Sequence, residues 1–151
     1  MTRAIFDKQP LVSLRNAILV IVPIILTTSF LLTSGCALVP NKIIEDITPQ
    51  EAFDLIQENT GNANFIIIDV RTPEEFKSGR LEGAVNLDFY SEDFEANMDK
   101  LDKGDTYLVY CRTGNRSRNA VNIMERLGFR RIYHMPGGII QWEASEYPVV
   151  R

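Results

Sequence analysis

Cysteine and histidine are almost absent: the 151 residues hold two cysteines and one histidine. Zinc fingers and multi-histidine metal sites need more ligands than that, so no resident metal is expected. Nothing in the chain calls for a cofactor. Basic blocks are missing as well, and the net charge is −4, with 16 Lys and Arg against 20 Asp and Glu. Nucleic-acid binding runs on dense Lys/Arg patches, so nucleic acid is not an expected partner. Nine glycines and seven prolines are too few for a collagen-like or low-complexity chain. With 45% hydrophobic residues, what remains is a globular chain with room for one ordinary domain. No internal repeat is visible, and a monomer is expected.

One long uncharged run breaks this ordinary composition. Residues 1–16 carry Arg3, Lys8 and Arg15 against Asp7, and residues 17–32 (AILVIVPIILTTSFLL) carry no charge. A basic start, an apolar stretch and small residues before a break make an export signal over 1–35. The stretch is shorter than the ~20 apolar residues of a spanning helix, and Pro23, Thr27, Thr28 and Ser29 interrupt it. Leu32-Thr33-Ser34-Gly35-Cys36 resembles the lipobox of bacterial lipoproteins, although Thr33 stands where leucine is commoner. The resemblance implies cleavage before Cys36, acylation of that residue and a membrane anchor on the extracytoplasmic side of the cell envelope. The alternative is an uncleaved segment that stays as the anchor. Residues 36–44 are read as a tether and 45–151 as the domain.

From residue 45 the chain alternates strand and helix signals. Thr48-Pro49-Gln50-Glu51 and Thr72-Pro73-Glu74-Glu75 are capping boxes with proline at the first helical position. Phe65–Ile68, Ala84–Leu87, Thr106–Tyr110 and Arg131–Met135 read as strands. Helical spacing marks Ser91–Leu101, a helix capped by Ser117 and ended by Gly128, and a last helix after Pro136-Gly137-Gly138. Such alternation implies an α/β fold, a mainly parallel sheet with helices on both faces. Trp142 is expected in the core, and His134 is read as a hydrogen-bonded structural residue.

Ligands in such sheets bind beyond the carboxyl ends of the strands. Cys111 stands there, directly after the strand TYLVY, and opens the polar loop Cys111-Arg112-Thr113-Gly114-Asn115-Arg116. A loop curled around the sulfur turns its N–H groups into an anion nest. The following helix N-terminus and the charges of Arg112 and Arg116 add to it. All three favour the thiolate, which is the nucleophile.

CRTGNRS (111–117), the strand before it, Asp69-Val70-Arg71 upstream and Gly137-Gly138-Ile139-Ile140-Gln141-Trp142 downstream together resemble a single-domain rhodanese, a sulfurtransferase, over about residues 45–150. The resemblance implies that Cys111 takes sulfur from a small anionic donor such as thiosulfate. The resulting persulfide passes the sulfur to a thiol or to cyanide. It implies an active-site loop of Arg112, Thr113, Gly114, Asn115, Arg116 and Ser117, braced by Asp69 and Arg71. One departure is clear. Gly79-Arg80-Leu81-Glu82-Gly83-Ala84 stands where the family often has Gly-His-Ile-Pro-Gly-Ala, so no role can be given to a histidine at position 80.

Two other readings stay open. Phosphatases and arsenate reductases use related loops in which arginine lies six residues after cysteine. Here that position is Ser117, and Arg116 comes one residue early. The third reading is a membrane-tethered binding module without catalysis. Two cysteines outside the cytoplasm also admit a Cys36–Cys111 disulfide, which would remove both the anchor and the nucleophile.

Overall fold

Both capping boxes form. In the computed structural model, which describes residues 42–151, the Thr48 hydroxyl accepts from the Glu51 N–H while the Glu51 carboxylate accepts from the Thr48 N–H, starting helix α1 (Pro49–Glu58). Thr72 and Glu75 do the same for α2 (Pro73–Ser78). The further helices are α3 (Phe94–Asp99), α4 (Asn115–Arg126) and α5 (Gly138–Ala144). The strands are β1 (Ile43–Asp46), β2 (Phe65–Asp69), β3 (Ala84–Asn86), β4 (Thr106–Tyr110) and β5 (Arg131–His134). They form one sheet in the order β1-β5-β4-β2-β3, parallel throughout.

The two-residue period of the strands sorts their side chains onto two cores. Ile68, Val70, Tyr107, Val109 and Cys111 face Phe94 and Met98 of α3 and Ala120, Val121 and Met124 of α4. Ile67, Leu108 and Tyr110 face Ala52 of α1 and Ile139 and Trp142 of α5. The sheet is thus covered on both faces, which is why β2 and β4 read as unbroken apolar runs rather than alternating ones. Trp142 is core, with its indole N–H donating to the Pro148 carbonyl at 3.0 Å.

Three boundaries differ by more than one residue from the sequence reading. Ile43 and Ile44, assigned to the tether, are the first half of β1 and pair with Arg131 and Ile132. A four-residue edge strand with two apolar residues has almost no local signal, because its pairing partner lies nearly ninety residues away. Helix α3 is shorter than Ser91–Leu101. Helix α4 starts at Asn115, so Ser117 lies inside its first turn and does not cap it. Gly114 takes the N-cap place with φ +92°, a left-handed conformation that glycine adopts without a Cβ penalty. Cys36 and the apolar segment lie outside the described residues.

Candidate active site

The loop after β4 closes on the sulfur of Cys111. The Gly114 N–H donates to Sγ at 3.1 Å, and the Ser117 hydroxyl lies 3.4 Å from it. Cys111 is a free thiol and only 1% exposed. Burial pushes its pKa up. Hydrogen bonds from the Ser117 hydroxyl and from the backbone N–H groups of Ser117, Thr113 and Gly114 outweigh that and hold it below the ordinary thiol value. Neutral donors therefore stabilise the thiolate, as in a backbone anion nest.

The arginines are distributed differently from the expectation. Arg116 forms a two-pronged pair with Glu75 of α2, at 2.6 and 2.8 Å, and its charge also acts on Cys111. Its guanidinium also lies 5.6 Å from the centre of the Tyr90 ring. The pair holds the Glu75 carboxyl down at about 2, chiefly through the Arg116 hydrogen bonds. The pair ties the loop to α2. Arg112 is exposed and makes no ion pair with any described residue. It lines a cleft of ≈180 Å³ together with Arg71, Glu75, Gly79, Ile139 and Glu143. Thr113 and Asn115 are exposed on the loop surface.

Asp69 and Arg71 are a buried pair, 0% and 4% exposed. The Arg71 Nε and Nη2 donate to the Asp69 carboxylate at 2.6–3.0 Å. Nη2 also reaches the Gly79 carbonyl at 2.6 Å. The guanidinium sits 5.8 Å from the ring centre of Tyr110, the residue before Cys111. The pair therefore joins the end of β2 to the end of β4 and to the turn at Gly79. At that turn, the backbone of Arg80 exchanges hydrogen bonds with Val150.

From the other side α5 grips the loop. The Ile139 N–H donates to the Cys111 carbonyl at 2.9 Å and that of Ile140 to the Arg112 carbonyl at 3.3 Å. This approach needs Gly138, where a Cβ would fall 2.4 Å from the Arg112 carbonyl oxygen.

Sequence reasoning missed two participants. Asp46 carries no signal of its own, and Glu75 shows only as a capping residue. His134 is buried and hydrogen-bonded as expected, with Nδ1 2.9 Å from Asp46 and Nε2 2.9 Å from the Ser117 hydroxyl. Asp46 and His134 are register partners at the carboxyl ends of β1 and β5. Locating β1 was the one step that could have brought them together. Among the described residues no cluster of His, Cys, Asp and Glu is suited to a metal ion.

Comparison with known proteins gives the same outline. The rhodanese-like domain family matches residues 48–145. The thiosulfate sulfurtransferase GlpE of Glaesserella parasuis is 32% identical over 104 residues, 69% of this chain and 91% of that protein. The thiosulfate sulfurtransferase GlpE of Pseudomonas entomophila is 35% identical over 103 residues, covering 68% and 86%. The crystal structure of a rhodanese-related protein from Thermoplasma volcanium superposes with a TM-score of 0.58 at 28% identity, over 71% of this chain and 98% of that one. The sulfurtransferases that this chain resembles are covered along most of their own length, and the family match spans the cysteine loop and both strands beside it. The chain belongs to the rhodanese-like family.

Proposed function

We propose that this chain is a sulfurtransferase that carries sulfane sulfur on Cys111. The observation that supports this most is the ring of neutral donors on the Cys111 sulfur, led by the Gly114 N–H at 3.1 Å. In the first half-reaction the thiolate attacks the outer sulfur of thiosulfate. A Cys–S–S bond forms, the bond to the SO₃ group breaks, and sulfite leaves with the electron pair. The persulfide keeps one negative charge, which the same donors hold. In the second half-reaction a thiolate or cyanide takes the outer sulfur, and the Cys111 thiolate returns. Such covalent transfer gives ping-pong kinetics.

Thiosulfate is a dianion, and its approach to a thiolate is repulsive. Arg112, exposed on the loop and lining the adjacent cleft, is the charge available to offset this. Phosphate chemistry fits less well. The place that a phosphate-binding loop gives to arginine holds Ser117, which is buried, and Arg116 is engaged by Glu75. The chain should form thiocyanate from thiosulfate and cyanide and leave an aryl phosphate intact. Arg112→Ala should lower kcat/KM for thiosulfate about tenfold to a hundredfold, the worth of one charge-assisted hydrogen bond. Hydrolysis of the aryl phosphate without thiosulfate turnover would overturn the reading.

The proposed place of action is the extracytoplasmic face of a membrane, with a lipid on Cys36 as anchor. Acylation at more than one position supplies the two signals that stable anchoring needs. Labelled fatty acid should enter the wild-type chain and not Cys36→Ala. Equal labelling of both would remove the anchor.

A further inference from the structure

His134 is the single histidine of the chain and takes no part in the transfer described above. It is 1% exposed, yet both ring nitrogens have partners. Nδ1 lies 2.9 Å from the Asp46 carboxylate and Nε2 2.9 Å from the Ser117 hydroxyl, which is itself 3.4 Å from the Cys111 sulfur. Four side chains from β1, β5, α4 and the end of β4 thus make an unbroken file that ends on the reacting atom. We propose that Asp46, His134 and Ser117 form a proton-transfer chain that takes the Cys111 thiol proton inward and returns a hydrogen bond to the sulfur anion. This deepens the reading of Cys111 as a sulfur carrier and rests on it.

The direction of each bond follows from the charges. The charged groups facing the file are Asp46 from β1 and Arg116 and Arg118 from α4. Arg116 is paired with Glu75 of α2, and Arg118 is paired with Asp46. The Arg118 hydrogen bond, foremost, keeps the Asp46 carboxyl below its ordinary value, so Asp46 is a carboxylate at neutral pH. It therefore accepts the proton on Nδ1, which fixes the tautomer. Burial draws His134 below the ordinary imidazole value, against the Asp46 hydrogen bond. The neutral ring then offers a bare Nε2 at 2.9 Å from the Ser117 hydroxyl, nearer than the competing Gly114 carbonyl at 3.1 Å, and in this scheme the one hydroxyl proton goes to the ring. The oxygen lone pair of Ser117 is left for the thiol proton.

The transfer balances without any other reactant. The S–H proton moves to Ser117 Oγ as the hydroxyl proton moves to Nε2. The products are a thiolate, an imidazolium held by Asp46, and a serine O–H that now points at the sulfur. Ser117 touches the reacting atom and is catalytic in this scheme, while His134 and Asp46 are positioning residues that act through it. When the sulfur anion is neutralised, the proton returns along the same path.

The single histidine makes this testable in the full-length Cys36→Ser chain, where Cys111 is the only thiol. With ¹⁵N-histidine, the neutral ring should carry its proton on Nδ1. The ring should stay protonated to a pH about one unit higher with a free Cys111 than with Cys111 carbamidomethylated, since only the thiolate holds the imidazolium. Ser117→Ala should bring the two curves together and raise the midpoint of Cys111 alkylation by about a unit, a tenfold loss of thiolate. Coincident wild-type curves, or a neutral ring protonated on Nε2, would overturn the chain even if Ser117→Ala failed to fold. Neither readout needs sulfur transfer. A wild type that takes no sulfur from thiosulfate defeats the carrier reading, and the ring titration still decides the proton path.

Discussion

Asp69→Ala should cost about 3–5 kcal/mol of folding stability, the range found when one partner of a buried ion pair is removed. Arg71 is 4% exposed and its carboxylate partner 0%. Without Asp69 the guanidinium keeps the Gly79 carbonyl as its one hydrogen-bond acceptor among the described residues and stays charged while almost wholly buried. With typical domain stabilities of ~5–15 kcal/mol, the loss is a large part of the total. Denaturant midpoints on the wild type and the variant measure it. The double variant Asp69→Ala, Arg71→Met should recover part of the loss, because no unpaired charge is left behind. A loss below about 1 kcal/mol would mean that the pair behaves like a solvated surface pair. Sulfur uptake should fall along with stability, since the pair sits under Tyr110 and so under the base of the Cys111 loop.

Gly138→Ala should damage the loop directly. The residue has φ +55°, and its Cβ would fall 2.4 Å from the Arg112 carbonyl oxygen and 2.5 Å from that of Cys111. Both carbonyls are held in place as acceptors from Ile140 and Ile139, so the backbone must move. Gly128→Ala is the matched control. It has φ +92° with nothing within 4 Å of a new Cβ, so it carries only the left-handed cost of ~1–2 kcal/mol. Gly138→Ala should therefore lose more stability than Gly128→Ala. It should also lose most of its thiosulfate turnover at a temperature where both are folded. Equal losses of stability and full turnover in both would show that α5 does not shape the loop.

The parts of this molecule that were legible in the sequence are those with local or strongly buried signatures. The Thr-Pro-x-Glu boxes are closed by residues three apart, and both formed. Phe65–Ile68 of β2 and Tyr107–Tyr110 of β4 are unbroken apolar and aromatic runs because helices cover both faces, and the place of Cys111 just after β4 follows from the parallel topology. What was not legible depends on contacts distant in sequence. The helix after the loop starts two residues before Ser117 because Gly114 turns left-handed, and the local text offered Ser117 as a better cap. Arg116 finds Glu75 forty-one residues upstream, a pairing that no periodicity announces. Asp46 meets His134 only because β1 and β5 are neighbours in the sheet, and β1 is too short and too half-buried to stand out from a tether.

The most direct test of Cys111 as the sulfur carrier is the intact mass of the full-length Cys36→Ser chain before and after thiosulfate, without reductant. The expected result is a gain of one sulfur atom, lost again on adding cyanide and absent from the chain that also carries Cys111→Ser. A gain that survives Cys111→Ser would place the sulfur elsewhere. No gain in the folded, reduced chain would contradict the sulfurtransferase reading and leave a rhodanese-like module that binds without transferring sulfur.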